Sequence, residues 1–405
     1  MVVRSFSTSG GLELYAHKLV EGLLDRNYRI SVICEDCDST LVHPNLEVLR
    51  FPKAKGHMAK ANKIDHYRKG VAQVLKQHGP FDLVHSQHLG IDGADVVTFH
   101  NHTVHRLSQA GIWWERYLNY AKAQLIPAYR KRHEMDHLLM QNALALIFPS
   151  AVCKDDFGKT YASALALRNG NVPLQTVAYP GSTFDTGSTP GGGDEVASGP
   201  IRMNSLTSST QTLKTTSSTF TFLFVGRGYR KKGLDILLSA CRILRQRNLS
   251  FRLYVAGMSA KPLDRLRLKL NGLADVVTYL GFRKDMPRVY SECEAIVLPS
   301  RLEPFGMAPV QAMRYGLVPI VSKVCGVAEV LTNEKNALII EDQLSAKELA
   351  DTMERLMANG VLKQALCKEV VQAAHLIDWK QTVSVTENAY NAAMQKKKAL
   401  GEKHG

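Results

Sequence analysis

Ten short apolar runs, rich in Val, Ile, Leu and Phe, alternate along the chain with longer amphipathic stretches. Four lie in the first half (RISVIC, FDLVHS, ADVVTF, LALIFP) and six in the second (FTFLFVG, RLYVAG, VTYLG, AIVLP, VPIVS, ALIIE). Runs that stay apolar, without alternating, belong to strands covered on both faces, and stretches such as LELYAHKLVEGLLDR and HYRKGVAQVLKQHG read as the covering helices. The pattern predicts an α/β fold of doubly wound parallel sheets, whose ligands sit at the carboxyl ends of the strands. The first strand reads as clipped, with only VVR before the turn.

Residues 183–219 break this pattern. They are dominated by Ser, Thr and Gly, with little to bury, and read as a linker or insertion. They divide the 405 residues into a first domain over 1–182 and a second over 220–378, each long enough for its own core. Residues 379–405 read as a last helix with a basic tail, and two placements are open to it: on the second domain, or back across the first. No solenoid-length repeat is present. No apolar run reaches the ~18–20 residues that a membrane span needs. The opening MVVRSFSTSGG is too short and polar for a signal peptide, so the expected location is cytoplasmic. Seven cysteines, an odd number, agree with reduced thiols. Cys34 and Cys37 lack the second pair a metal site requires, so they read as a strand end and a loop residue. The net charge of +14 suits an anionic small molecule, an anionic membrane or nucleic acid. No nucleic-acid fold signature or aromatic RNA platform accompanies it, so nucleic acid is not an expected partner.

Four constellations fall at strand ends. In STSGGLELYAHKL, Gly10 and Gly11 lie between strand and helix, where a backbone can approach a phosphate. In FLFVGRGYRKKGLDILLSA, four cations follow a strand within six residues. Arg227 and Lys232, next to glycines, are the candidates for a diphosphate, whereas Arg230 reads as solvated. In ADVVTFHNHTVHRL, His100 follows a strand directly and could donate a hydrogen bond to a ligand oxygen. His102 and His105 read as loop residues, and the spacing does not form a metal site. In SRLEPFGMAPVQAM, Glu303 precedes a turn and Gln311 lies about one turn into the next helix, so both can reach a molecule lying across the helix start. Backbone N–H groups of Phe305 and Gly306 are further candidate donors there.

These stretches, with VVTFH, IFPS, YPGST, YVAG, VTYLGF and AMRYGLVPIVSKVCGVAEVL in the same order, resemble family 4 of the retaining glycosyltransferases over nearly the whole chain, most closely those of bacterial lipopolysaccharide-core type. The resemblance implies the GT-B fold, two facing Rossmann-like domains around an interdomain cleft, with the first domain binding acceptor and the second donor. It implies a hexosyltransferase using a nucleoside-diphosphate sugar, with a UDP-sugar such as UDP-glucose expected, as co-substrate, with no metal and no other cofactor. It assigns Gly10, Gly11, Arg227 and Lys232 to the diphosphate, and His100 and Glu303 to the transferred sugar. Gly326 and Glu329 border the donor. Gln311 takes the place of a second acid that normally holds the ribose. That departure weakens nucleotide binding, and it leaves a second reading open, a weakly active or inactive binding relative.

The expected acceptor is a glycan or glycolipid. FPKAKGHMAKANKIDHYRKG carries six Lys/Arg against one acid, and WWERYLNYAKAQLIPAYRKRHEM mixes aromatics with cations. Such segments suit peripheral contact with the anionic inner face of the cytoplasmic membrane, or a solvated face over buried aromatics.

Overall fold

The structure is a computed structural model that describes residues 1–88, 90–168, 172–182 and 219–402. The Ser/Thr/Gly-rich stretch, apart from Thr219, lies outside the described residues. The chain divides into two compact units: Met1–Gly181 together with Trp379–Gly405, and Ser182–Asp378.

The first unit contains β1 (Ser5–Phe6), α1 (Gly11–Leu24), β2 (Ile30–Cys34), β3 (Asp36–Cys37), β4 (Leu46–Arg50), α2 (Lys60–His78), β5 (His85–Gln87), β6 (Val96–Thr98), α3 (Val104–Gln109), α4 (Trp113–Leu125), α5 (Pro127–Asn142), β7 (Ala145–Phe148), α6 (Ala151–Thr160), α7 (Ala162–Ala166) and β8 (Leu174–Val177). Strands β2 and β4 pair in parallel, as do β5, β6, β7 and β8 in that order. Val2 joins the two sets, bridging Ile33 of β2 on one side and Ser86 of β5 on the other. The short VVR segment therefore sits in the middle of the sheet. Phe99, Phe148, Phe157 and Tyr161 form the aromatic part of the core beneath it, with the Phe99 and Phe148 rings stacked at 5.2 Å.

The second unit contains β9 (Phe220–Val225), α8 (Leu234–Gln246), β10 (Phe251–Ala256), α9 (Pro262–Leu270), β11 (Val277–Gly281), α10 (Met286–Ser291), β12 (Ala295–Leu298), α11 (Met307–Met313), β13 (Val318–Ser322), β14 (Leu338–Ile340), α12 (Ala346–Ala358) and α13 (Gly360–Leu376). Its six strands form one parallel sheet in the order β11-β10-β9-β12-β13-β14. The order reverses between β9 and β12, which share an edge although a long stretch of chain separates them. At that switch point the loops after the two strands lie at their carboxyl ends, where ligands bind in doubly wound folds.

The last helix, α14 (Trp379–Glu402), belongs to the first unit. Ala389 and Ala393 pack against Val96, Leu144, Ile147 and Ala178, and Arg26 of α1 forms an ion pair with Glu387. Among the described residues, no helix is long and apolar enough to cross a membrane.

Candidate active site

The switch point of the second unit is built by two loops. The first leaves β9 through Gly226, Arg227 and Gly228 and enters α8 at Gly233; the second leaves β12 and enters α11 at Gly306. Gly233 adopts a left-handed φ of 74°, and a Cβ there would lie 1.9 Å from the Pro299 carbonyl oxygen, so only glycine lets the loops come this close. At Gly226 a Cβ would come 2.4 Å from Lys232 Cδ, because the lysine stem lies across it.

That stem carries the Lys232 ammonium to Glu303, where Nζ lies 2.8 Å from Oε2. The two side chains are 22% and 13% exposed. The structure thus brings together one cation and one acid from sequence-distant candidate motifs. Below them, Gly226 adds its N–H to the Ala256 carbonyl, which closes the end of the sheet.

Arg227 takes a different place. It is exposed, with its guanidinium carbon 5.7 Å from the centre of the Phe282 ring, beyond β11. Phe305 and Gly306 are buried in the second loop. The Phe305 carbonyl accepts from Val327, and the Glu303 carbonyl accepts from Gly326 at 3.0 Å, so the turn after β13 is laced to the loop that carries the acid. Gly326 is buried and its N–H is engaged in that bond, while Glu329 is exposed in the same turn. Cys325 lies under this junction, its thiol pushed up to about 11 by burial, with the Glu303 charge adding to the effect. Gln311 stands on α11, where its Oε1 accepts from the Tyr290 hydroxyl at 3.4 Å.

In the first unit, Gly10 caps α1 with a φ of 119° and Gly11 is the first helical residue; both are exposed. His100 follows β6, with Nε2 2.7 Å from Gln87 Oε1 and its ring edge-on to Tyr15 at 4.8 Å. Burial, and secondarily the neighbouring His88, depress its pKa to about 3, so the ring is neutral in the ordinary pH range. His102 is fully buried and pairs with Asp156 at 3.1 Å, while His105 is exposed beside Gln109. Among the described residues, no group of three or more His, Cys, Asp or Glu side chains comes together to hold a metal ion.

Comparison with known proteins agrees with the fold. Residues 209–375 match the family described as Glycosyl transferases group 1, and residues 9–164 match Glycosyltransferase Family 4. The chain is 22% identical over 417 residues to the D-inositol 3-phosphate glycosyltransferase of Pseudarthrobacter chlorophenolicus, a match that covers 96% of this chain and 91% of that one. It is 36% identical over 141 residues to the uncharacterized glycosyltransferase YqgM of Bacillus subtilis, which covers 34% of this chain and 39% of that relative's length. Among solved structures, WaaG, a glycosyltransferase involved in lipopolysaccharide biosynthesis, superposes with a TM-score of 0.73 at 17% identity, covering 95% of this chain and 97% of that one. HepE of Anabaena, solved with UDP and glucose, gives a TM-score of 0.60 at 15% identity and covers 96% and 98%.

The chain is a GT-B glycosyltransferase. Within the glycosyltransferase's second unit, one organising residue carries no signal that sequence reading can weigh. Arg301 is buried and grips Asp235 of α8 with two bonds of 2.7 Å, and it donates to the Arg230 carbonyl at 2.6 Å. It thereby pins the basic loop to the loop that carries Glu303. Asp235 lies 66 residues away, and only the fold joins them. Gln87 and His88 of the first unit were missed as well, although the polar run His85–Ser86–Gln87 occupies a fully buried strand, where an apolar run is the rule.

Proposed function

We propose that this glycosyltransferase moves a hexose from a nucleoside-diphosphate sugar, a UDP-sugar such as UDP-glucose, to a hydroxyl of a glycan or glycolipid, with retention at the anomeric carbon and without a metal ion. The observation that carries the reading is the Lys232–Glu303 pair at the β9/β12 switch point, 2.8 Å across. A diphosphate and a sugar need these two groups side by side, one to neutralise the departing phosphate and one to hold sugar hydroxyls.

As the glycosidic bond breaks, negative charge grows on the leaving diphosphate. A fixed ammonium at Lys232 and a guanidinium at Arg227, swung from Phe282, stabilise that charge. Glu303, released from Lys232, accepts hydrogen bonds from the hexose. The acceptor hydroxyl attacks from the face the diphosphate leaves, and a leaving phosphate oxygen takes its proton. Within the first unit, His100 is the candidate partner of a sugar hydroxyl, and Gly10 and Gly11 offer backbone N–H groups to a phosphate. Support for a UDP-sugar comes from HepE, solved with UDP and with UDP-glucose, and support for a glycolipid acceptor from WaaG, which is involved in lipopolysaccharide biosynthesis.

A place at the inner face of the cytoplasmic membrane is part of the same proposal. Helix α4 exposes Trp113 (80%), Tyr117 (72%) and Tyr120 (58%) beside Arg116 and Lys122, an aromatic-and-cationic face suited to anionic lipid.

Calorimetry of the full chain against UDP-, GDP- and ADP-sugars, followed by transfer of labelled sugar from the donor that binds, tests the reading. Transfer that persists in EDTA is the expected result; strict dependence on added metal contradicts it.

A further inference from the structure

Two consecutive side chains at the carboxyl end of β5 hold His100 from different directions. Gln87 Oε1 lies 2.7 Å from His100 Nε2. His88 Nδ1 accepts the backbone N–H of His100 at 2.9 Å and that of Asn101 at 3.1 Å.

Each of these partners is itself oriented. Because Nδ1 of His88 accepts, its proton sits on Nε2, which donates to Asp136 Oδ1 of α5 at 3.3 Å. Asp136 is only 2% exposed, and His88 holds a left-handed φ of 50°, a conformation a histidine keeps only where its surroundings impose it. The Gln87 carboxamide nitrogen lies 3.3 Å from His85 Nε2 and 2.9 Å from Met1 Sδ, which turns the carboxamide oxygen to His100. His85 is fixed in turn by Thr98 Oγ1 at 2.8 Å and by the hydroxyl of Tyr390, on α14, at 2.7 Å. The carboxamide oxygen can only accept, so His100 carries its proton on Nε2.

We propose that Gln87 and His88 are positioning residues that lock His100 in its Nε2–H tautomer, leaving Nδ1 as an acceptor for a sugar hydroxyl. This reverses the donor role expected of His100, and it rests on the reading above that His100 meets the sugar. Burial, which depresses the pKa values of His85, His88 and His100 alike, keeps all three rings neutral. The C-terminal helix takes part through Tyr390, so a residue remote in sequence sets the chemistry of a ring at the sheet's end.

The test is ring-nitrogen NMR of the full chain with labelled histidine, with His100→Gln used to assign its signals. The expected spectrum shows Nε2 protonated and Nδ1 unprotonated at pH 7. In Gln87→Leu the two ring nitrogens should average between tautomers, and kcat should fall about tenfold while the affinity for UDP holds; the unfolding temperature drops as well, because the change leaves buried ring nitrogens of His100 and His85 unpaired. A protonated Nδ1 in the unsubstituted protein overturns the proposal, as does an unchanged tautomer or unchanged kcat in Gln87→Leu. Failure of the broader reading looks different: absence of transfer from every donor sugar leaves the tautomer result standing.

Discussion

At the scale of single residues, the pairing of Lys232 with Glu303 sets two groups in competition. A diphosphate must take the ammonium from the carboxylate before that carboxylate can hold a sugar. Partly exposed pairs of this kind contribute up to ~1 kcal/mol, or about fivefold in an equilibrium. Glu303→Gln should therefore bind UDP up to about fivefold tighter by calorimetry, while transfer drops by about ten- to a hundredfold through loss of a charge-assisted bond of ~1.5–3 kcal/mol. UDP affinity that falls with Glu303→Gln would show that the two groups do not compete. Gln311 is the counterpart case. Its amide accepts from Tyr290, and a carboxylate at the same place would add charge-assisted acceptance; Gln311→Glu should tighten nucleotide binding by about five- to tenfold. Weaker binding in that variant would place the nucleotide elsewhere. Lys232 stood out because it lies next to a glycine after a strand, and Glu303 because it precedes the turn into the next helix. Arg301 did not, since its partner Asp235 becomes a neighbour only through the folding of β9 beside β12.

At the scale of elements, the strands buried on both faces were legible, as were both edges of the second unit's sheet, VTYLG and ALIIE, whereas the edges of the first unit's sheet were not. β7 and β13 are buried throughout and appear as unbroken apolar runs. β4 (LEVLR) and β8 (LQTV) are edge strands, only partly buried, and their polar residues hide them among loops. The central polar strand β5 was placed too early, in FDLVHS, because its buried residues are His85, Ser86 and Gln87. Those histidines have a consequence for stability. His85, His88 and His100 have pKa values below the usual 6.5 in the folded state, so the unfolded chain binds more protons as pH drops below about 6.5. The stabilisation is present above that pH and lost below it, and the unfolding temperature should fall steadily from pH 7 to pH 5; a flat profile would mean these rings are protonated in the native state. Helix α14 depends on small side chains where it meets the sheet. Ala389→Leu should overpack the contact with Leu144 and Ile147 and cost about 1–3 kcal/mol, read from denaturant midpoints.

At the scale of the whole molecule, the excess of positive charge has two readers, the diphosphate and a surface. Lys53, Lys55 and Lys60 are exposed on the first unit. Replacing them and Lys63 with Glu should abolish sedimentation with anionic vesicles while UDP affinity stays the same; sedimentation that persists would remove the membrane from the account. The fold itself was legible at this scale from the rhythm of apolar runs. The measurement that bears most directly on the central claim is a crystal structure of the full chain with UDP-glucose bound. The account predicts the diphosphate on Lys232 and Arg227, the hexose on Glu303, and the Lys232–Glu303 contact broken. A nucleotide bound elsewhere, with that contact intact, would contradict it.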